Sequence, residues 1–184
     1  MRGRRAVRSA VVDAWSQCVS EDYAKQRINS ERSLQAAIWS RLNTSLPPTR
    51  RLFIEPTVRL SEDDGNKRVI PDLVICNTRE VICVVELKYL PRARPRYSKD
   101  LASLASISAG RGSVTIANDR FRGAEKDSKA YALSDRVLFV WAGIHKGPVP
   151  DESFGSSYAS LEGCYLELHA VTQPESLPEI LIRG

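Results

Sequence analysis

Apolar residues recur at spacings of three and four along the first quarter of the chain, a pattern typical of amphipathic helices. One such stripe covers residues 6–25 and predicts a first helix. A second stripe follows Asn29 and Ser30, either of which can cap the helix that it predicts. That second helix must end before Pro47 and Pro48, because proline cannot continue a helix. Both helices are predicted to pack an apolar face against a core.

The pattern then changes to one typical of strands. Residues 51–60 alternate polar and apolar side chains and predict a strand with one wet side, in which Pro56 marks an edge or a bulge. After a turn at residues 61–67, two apolar and β-branched runs, residues 69–76 and 81–87, flank a short polar break. This arrangement predicts a β-hairpin.

The second half of the chain mixes both patterns. After an irregular segment, a helical pattern covers residues 97–109 and closes at Gly110. Residues 136–144 form a strongly apolar run and predict a buried strand. The other predictions, in chain order, are a short strand at 113–117, a loop at 118–123, a helix at 124–133, a long flexible loop at 147–160, a last alternating strand at 164–171 and a proline-interrupted tail.

Two acidic residues, Asp72 and Glu86, lie inside the apolar runs of the hairpin, where acids are disfavoured. If Cys76 pairs just across the break, with Val81 or the next residue, Asp72 comes opposite Glu86 or the residue before it. Like charges so placed destabilise a sheet, so a positive charge should lie between them. Lys88 is one candidate, because it points to the same face as Glu86. A divalent cation such as Mg²⁺, which is usually held by one or two carboxylates, is the other.

Pro71-Asp72 followed by Glu86-Leu87-Lys88 resembles the signature of the PD-(D/E)xK nuclease superfamily, which has the restriction-endonuclease-like fold. The resemblance implies an α/β fold with an αβββαβ core and a mixed central sheet flanked by helices. It also implies that Asp72, Glu86 and the backbone carbonyl of Leu87 bind Mg²⁺ or Mn²⁺. In that family the lysine, here Lys88, would orient the attacking water or offset charge on the phosphate.

The resemblance covers roughly residues 28–145. The length of the chain suits one domain, so we expect residues 1–184 to form a single nuclease-like domain. Its core would be preceded by a helical extension at 1–27 and followed by a loop, a last strand and a tail at 146–184. Glu31, on the helix before the sheet, matches an acidic residue that often joins the metal site in this family. A purely structural role also explains Glu31, since an acid in the first turn of a helix is favoured by the helix dipole.

A net charge of +5 and a pI of about 9.2 favour an anionic partner. One cluster of cations directly follows the Glu-x-Lys strand, where it could hold a phosphate backbone. In the resembling fold the next helix often offers polar groups to the site, and Tyr97 and Lys99 are the matches in place. The alternative for the cation cluster, and for Tyr97 and Lys99, is that these side chains are simply exposed to solvent. The candidate nucleic-acid-binding residues are Arg92, Arg94, Arg96, Tyr97, Lys99, Arg120 and Arg122.

Other chemistry is poorly supported by the sequence. The four cysteines contain no C-x-x-C pair, so zinc is not expected. Cys76 and Cys83 lie in apolar strands, and we interpret them as small buried residues in a reducing cytoplasm. His145 and His169 are isolated in sequence, which supports neither a histidine metal site nor a Ser-His-Asp arrangement. No apolar run approaches the length of a membrane span, and the basic N-terminus lacks the apolar core of a secretory signal. We expect a cytoplasmic protein with no membrane partner.

The sequence thus predicts a Mg²⁺-dependent endonuclease or exonuclease that acts on DNA, with RNA as the other possible substrate. Three alternatives stay open. The fold can serve a non-catalytic module that binds nucleic acid or protein, because a fold does not fix a function. The hairpin can also be a surface hairpin with an ion pair between Glu86 and Lys88. A partner protein can supply specificity, and two chains can pair as a homodimer to cut two strands.

Overall fold

A mixed β-sheet organises the fold of this computed structural model, which describes residues 2–60, 68–110, 115–122 and 125–184. The helices are α1 (Arg2–Gln17), α2 (Glu31–Ser45) and α3 (Ser98–Ala109). The strands are β1 (Arg51–Ile54), β2 (Val58–Arg59), β3 (Arg68–Val69), β4 (Leu73–Cys76), β5 (Glu80–Leu90), β6 (Thr115–Arg122), β7 (Glu125–Lys146), β8 (Tyr165–Thr172) and β9 (Glu179–Arg183). The predicted turn at residues 61–67 lies outside the described residues.

The strands follow the order β1-β4-β5-β7-β6-β2-β3, and β8 pairs with β7 and with β9. The ladders β1–β4 and β4–β5 are antiparallel, whereas β5–β7 and β7–β8 are parallel. A parallel pair requires a crossover connection, and α3 lies within the connection from β5 to β7. The structure therefore confirms the predicted α/β class and the predicted mixed sheet.

Two apolar layers cover the two faces of the sheet. Helices α1 and α2 pack on the face formed by Cys83, Val85 and Leu87 of β5. Helix α3 and the segment 154–164 pack on the other face. Because side chains alternate along a strand, Glu86 and Lys88 point to the α3 side. The predicted burial of Cys76 and Cys83 is also confirmed, and Cys18 and Cys164 are buried as well.

Three of the four predicted helices are present. Helix α1 is followed directly by a π-helical turn, Cys18–Tyr23, so the predicted first helix is nearly continuous. Ser30 caps α2, since its side chain accepts the backbone N–H of Ser33 and the Ser33 side chain accepts that of Ser30. This reciprocal capping fixes the start of α2, and therefore the position of Glu31.

The single strand predicted at residues 51–60 is wrong. It is divided into β1 and β2, which pair with different strands. Glu55 has a φ of 48°, and Pro56 follows it without an N–H for a ladder. The chain therefore turns between the two short strands and enters another part of the sheet.

The loop predicted at 118–123 and the helix predicted at 124–133 are also wrong. Strands β6 and β7 form an antiparallel hairpin here, from Arg122 opposite Glu125 to Thr115 opposite Ala132. The alanine-rich composition of this stretch favours a helix, but pairing with a neighbouring strand overrides that local preference. The strand predicted at 136–144 is confirmed as part of the long β7.

The C-terminal region is more ordered than the sequence indicates. Residues 147–160 include a 3₁₀ turn, Phe154–Ser157, whose Phe154 is buried in the core. Strand β8 is buried along nearly its whole length rather than on alternate residues, as expected beside a parallel neighbour with both faces covered. It is not the last strand, because β9 pairs with it. Among the described helices, none combines the length and the apolar character needed to cross a membrane.

Candidate active site

The β4–β5 hairpin brings Asp72 and Glu86 together. Its register pairs Leu73 with Val85, and one further step along both strands places Asp72 opposite Glu86, as the sequence predicts. Asp72 Oδ2 accepts the backbone N–H of Leu87 at 2.6 Å. The Asp72 carboxyl group is therefore held against the strand that carries Glu86.

Two contacts hold the backbone of Asp72 just before β4. Its carbonyl oxygen accepts one hydrogen bond from Nε2 of Gln35 at 3.0 Å and another from the backbone N–H of Glu55 at 3.0 Å. Gln35 lies on α2 and is buried, so the helix before the sheet helps to position the acid. Sequence reasoning missed Gln35, although a glutamine on the apolar side of a helix was a signal that it has a partner.

The electrostatics of this pair are unfavourable without a cation. Burial, followed by repulsion from Asp72 and Asp100, raises the pKa of Glu86 to about 9. Burial also raises the pKa of Asp72 to about 6, although the hydrogen bond from Leu87 opposes the shift. A hydrogen bond between the two side chains favours the proton on Glu86. Perturbed carboxyl groups in a cleft are typical of functional sites.

Lys88 lies beside this pair rather than between its two members. Its Nζ is 3.2 Å from Oδ2 of Asp100 and 3.7 Å from Oε2 of Glu31. Burial lowers the pKa of Lys88, but Asp100 and Glu31 outweigh burial and raise it overall. The surface-hairpin interpretation is wrong, because Glu86 is 8% exposed and its carboxylate forms no ion pair with Lys88. The lysine is held in its charged form by two other acids.

Sequence reasoning missed Asp100, in the first turn of α3. It is buried, and its Oδ2 accepts the indole N–H of Trp141 at 3.3 Å. Burial raises its pKa, and Lys88 and Trp141 oppose the rise. The available signal was its spacing, since Asp100 lies four residues before Leu104 on the apolar stripe of the helix. An acid on that stripe needs a partner.

The Trp141 ring also restricts the backbone beside it. It lies over Gly143, where an added Cβ would overlap the indole. Residues 141 and 143 are two positions apart on β7, so they face the same side of the sheet. The absent side chain at 143 is what allows the indole to reach Asp100.

Glu31 contacts Lys88 and also accepts the backbone N–H of Tyr89 at 3.3 Å. Within the described ranges, no three or more His, Cys, Asp and Glu side chains are grouped so that they could hold a metal ion. Asp72 and Glu86 are thus the adjacent carboxyl groups of the cleft, whereas its other two acids, Glu31 and Asp100, pair with Lys88. Glu31 and the Leu87 carbonyl remain predictions as further ligands.

The donor set fits a hard divalent cation. Two adjacent carboxyl groups supply oxygen ligands, and burial and mutual repulsion disfavour their joint ionisation. Mg²⁺ takes one or two carboxylates and fills its other positions with water and phosphate oxygens. A bound divalent ion would offset both unfavourable effects.

A cleft of about 580 Å³ opens onto these groups. Of the predicted nucleic-acid-binding residues, Lys99 lines it, and Arg68, which sequence reasoning missed, lines it as well. Ile70 also lines the cleft and is 58% exposed, which is unusual for a large apolar side chain. The cleft thus combines acids at its base with cations at its wall.

Four of the other predicted contacts lie elsewhere. Arg92, Arg94 and Arg96 are exposed on the segment after β5 and do not line the cleft. The Tyr97 ring stacks on Phe154, with 3.7 Å between ring centroids, so that face of the ring is already covered. The backbones of residues 120 and 122 lie in β6, and the side chains of Arg120 and Arg122 are outside the described part.

No protein-family model matches the chain, and no significant match was found among characterised proteins or solved structures.

A second polar cluster joins the two histidines that are isolated in sequence. His145 Nε2 lies 3.0 Å from His169 Nδ1, because β7 and β8 are parallel neighbours. His169 Nε2 lies 3.3 Å from Glu167, which also accepts the Ser153 hydroxyl at 2.8 Å. Burial lowers the pKa of His145 to about 4. Ser153 donates to the acid and not to a histidine, so the order of a catalytic triad is absent from these four residues.

The raised pKa of Glu86 predicts that the metal-free protein loses stability as pH rises from about 6.5 to 8.5. A folded-state pKa of about 9 against 4.5 means that the folded chain binds more protons in this window, so the free energy of unfolding falls. Asp72 has a pKa of about 6 and has largely titrated below this window. His145 has a pKa of about 4 in the folded chain and 6.5 in the unfolded chain, so it opposes the effect of Glu86 only at the lower edge of the window. The buried cysteines Cys18 and Cys83 contribute only near pH 9 and above.

Urea unfolding in EDTA across this pH range measures the effect. Glu86→Gln should flatten the dependence, and saturating Mg²⁺ should do the same in the unmodified chain. A free energy of unfolding that is constant or rises with pH would contradict the assignment to Glu86.

Proposed function

We propose that the chain is a nuclease of the PD-(D/E)xK type that uses Mg²⁺ or Mn²⁺ to hydrolyse phosphodiester bonds in nucleic acid, with DNA favoured over RNA. The observation that carries the proposal is the pair formed by the half-buried Asp72 and the buried Glu86, which faces a cleft together with a charged Lys88. Two repelling acids in a strand environment weaken a metal-free fold, so a purely structural role does not account for them.

The order of elements supports the same proposal. Helix α2 precedes the antiparallel strands β1, β4 and β5, and α3 then crosses to β7, which is parallel to β5. This arrangement is compatible with the αβββαβ order that the resemblance implies, if β2 and β3 are insertions after the first of its strands and β6 is an insertion before the last. Pro71 and Asp72 of the signature directly precede the second of those strands, and Glu86, Leu87 and Lys88 lie on the third.

In this mechanism Asp72 and Glu86 would hold the divalent ion, which when bound supplies a Lewis acid for the phosphate and an acidified water. Glu86 must release the proton that burial and Asp72 favour, so metal binding should release a proton. Lys88 would orient the attacking water or offset negative charge on the phosphate. Glu31 and Asp100 would keep this lysine charged and in place.

The cleft wall would bind the substrate beside the reacting phosphate. Lys99 and Arg68 are placed to pair with flanking phosphates, since both line the cleft and both are exposed. The exposed Ile70 lines the same cleft, where a base or sugar can pack on it. Such contacts position a strand without reading its sequence.

Cleavage of a mixed panel tests the proposal. Linear, circular, branched and single-stranded DNA, with matching RNA, are incubated with Mg²⁺, Mn²⁺ or EDTA. We expect metal-dependent cutting that falls at least about 100-fold in Asp72→Asn, since even residues that only orient metal ligands contribute 10–100-fold. Asp151→Asn, on an exposed loop residue, is the matched control and should cut normally.

The same panel decides between enzyme and binding module. If no substrate is cut and calorimetry detects no Mg²⁺ binding, the nuclease is refuted and the non-catalytic module is favoured. Cutting that survives in Asp72→Asn would indicate a contaminating nuclease and would contradict the assigned site. Relative rates on DNA and RNA name the substrate class.

A further inference from the structure

A second groove, larger than the active-site cleft, opens between the start of α1, the middle of β7 and the segment 153–163. Its volume is about 1170 Å³. It shares no lining residue with the cleft that contains Asp72 and Glu86. The proposed hydrolysis therefore gives this groove no role.

The groove is strongly cationic. Four arginines line it, Arg4, Arg5 and Arg8 from α1 and Arg136 from β7, against one acid, Glu162. Arg8 donates to the carbonyl oxygen of Gly184. The other three arginines form no ion pair with residues in the described ranges. Guanidinium groups gathered on a concave surface attract an anion, and their planar donors match phosphate oxygens.

The floor of the groove is apolar and aromatic. Tyr158 and Tyr165 line it together with Leu138 and Leu161. Leu138 and Leu161 are already buried, but a lone phosphate or sulfate would leave the half-buried tyrosine rings without a partner. Unpaired bases stack on aromatic rings while arginines bind the backbone, which is how single strands are bound without regard to sequence. A duplex keeps its bases paired and offers such a floor little.

The size of the groove points the same way. Small-molecule sites usually occupy about 300–1,000 Å³ and enclose their ligand. This groove exceeds that range and borders the exposed residues Arg5 and Arg136. A polymer segment that runs through it suits these dimensions better than a free nucleotide does.

We infer that this groove is a second nucleic-acid site that binds single-stranded DNA or RNA, with Arg4, Arg5 and Arg136 on phosphates and the two tyrosines under bases. The inference does not require the proposed hydrolysis. If both hold, a strand can be retained at a distance from the catalytic cleft. Retention would favour repeated cutting of one molecule.

Fluorescence anisotropy with a labelled oligothymidylate of about 15 nucleotides, in EDTA, tests the groove without any cleavage. The variant Arg4→Ala/Arg5→Ala/Arg136→Ala is compared with Arg50→Ala/Arg51→Ala/Arg79→Ala. The second variant loses the same charge from residues that line neither the groove nor the cleft. We expect at least tenfold weaker binding in the groove variant than in this control. The slope of log affinity against log salt should fall by about 2, because each phosphate that an arginine neutralises on a single strand accounts for about 0.7 of that slope.

Equal weakening in both variants would overturn the inference, as would tighter binding of a duplex than of the single strand or no binding by the unmodified chain. If the triple variant unfolds, Arg5→Ala and Arg136→Ala, both at exposed residues, are tested singly for the same direction of change in slope. A chain that binds single strands in this groove and cuts nothing would refute the nuclease alone. If the unmodified chain cuts nucleic acid but the two variants bind the single strand equally well, the inference about the groove alone is refuted.

Discussion

Glu86→Gln is expected to abolish cleavage and at the same time to stabilise the metal-free protein at pH 7. The pKa of Glu86 is raised to about 9 by burial and by Asp72, so the folded chain holds a proton there that the unfolded chain does not. Glutamine keeps the shape of the protonated acid and its capacity to hydrogen-bond, but it has no ionised form to favour the unfolded state. The gain in the free energy of unfolding should be on the order of 1–3 kcal/mol. Glutamine cannot supply the charge that a divalent ion requires.

Single-turnover cleavage with Mg²⁺ and urea unfolding in EDTA measure the two effects. Glu80→Gln is a matched control on the same strand, since Glu80 does not line the cleft, and neither quantity should change much. A Glu86→Gln protein that cuts at the normal rate would remove Glu86 from the mechanism. One that is less stable than the unmodified chain would contradict the electrostatic account of the pair.

Trp141 is expected to affect both the core and the chemistry, and two substitutions separate these effects. It is fully buried, so Trp141→Ala should lower the free energy of unfolding by about 3–5 kcal/mol. Trp141→Phe keeps most of the packing but removes the indole N–H that Asp100 accepts. Asp100 then holds Lys88 less firmly, and cleavage should fall about 10–100-fold, as for other residues that orient a site.

Trp15→Phe is the matched control for this pair of substitutions. Trp15 is also fully buried, and its indole N–H has no hydrogen-bond partner among the described residues. It should lose some stability and no activity. If the two Trp→Phe variants reduce cleavage equally, the link through Asp100 is wrong. The pH dependence of cleavage should shift in Trp141→Phe alone, since only there does the environment of Asp100 and Lys88 change.

Much of the site could be predicted from sequence because its signals are local. The two apolar runs and the break between them set the hairpin register, and that register alone brings Asp72 opposite Glu86. The cap of α2 likewise needs only neighbouring residues. Features of this kind depend on a few adjacent side chains and the period of a strand or helix.

The features that sequence reasoning missed depend on distant pairing. Asp100 acquires its role only because α3 places it against Lys88 and Trp141. The two histidines meet only because β8 adds to β7 in parallel. Strand β7 is itself irregular: four residues, 134–137, lie opposite the single residue Ile82 of β5. This polar interruption gives the sequence the pattern of a helix followed by a separate strand.

The contact between Gly143 and the Trp141 ring has a consequence for how this chain can change over evolutionary time. A single substitution at 143 would push the indole away from Asp100, and a smaller residue at 141 would leave a hole above the glycine. Neither position can drift alone without loss. The two are expected to be inherited as a pair, so the combination of tryptophan, one residue and glycine after the Glu-x-Lys strand is a marker by which distant kin of this chain could be recognised.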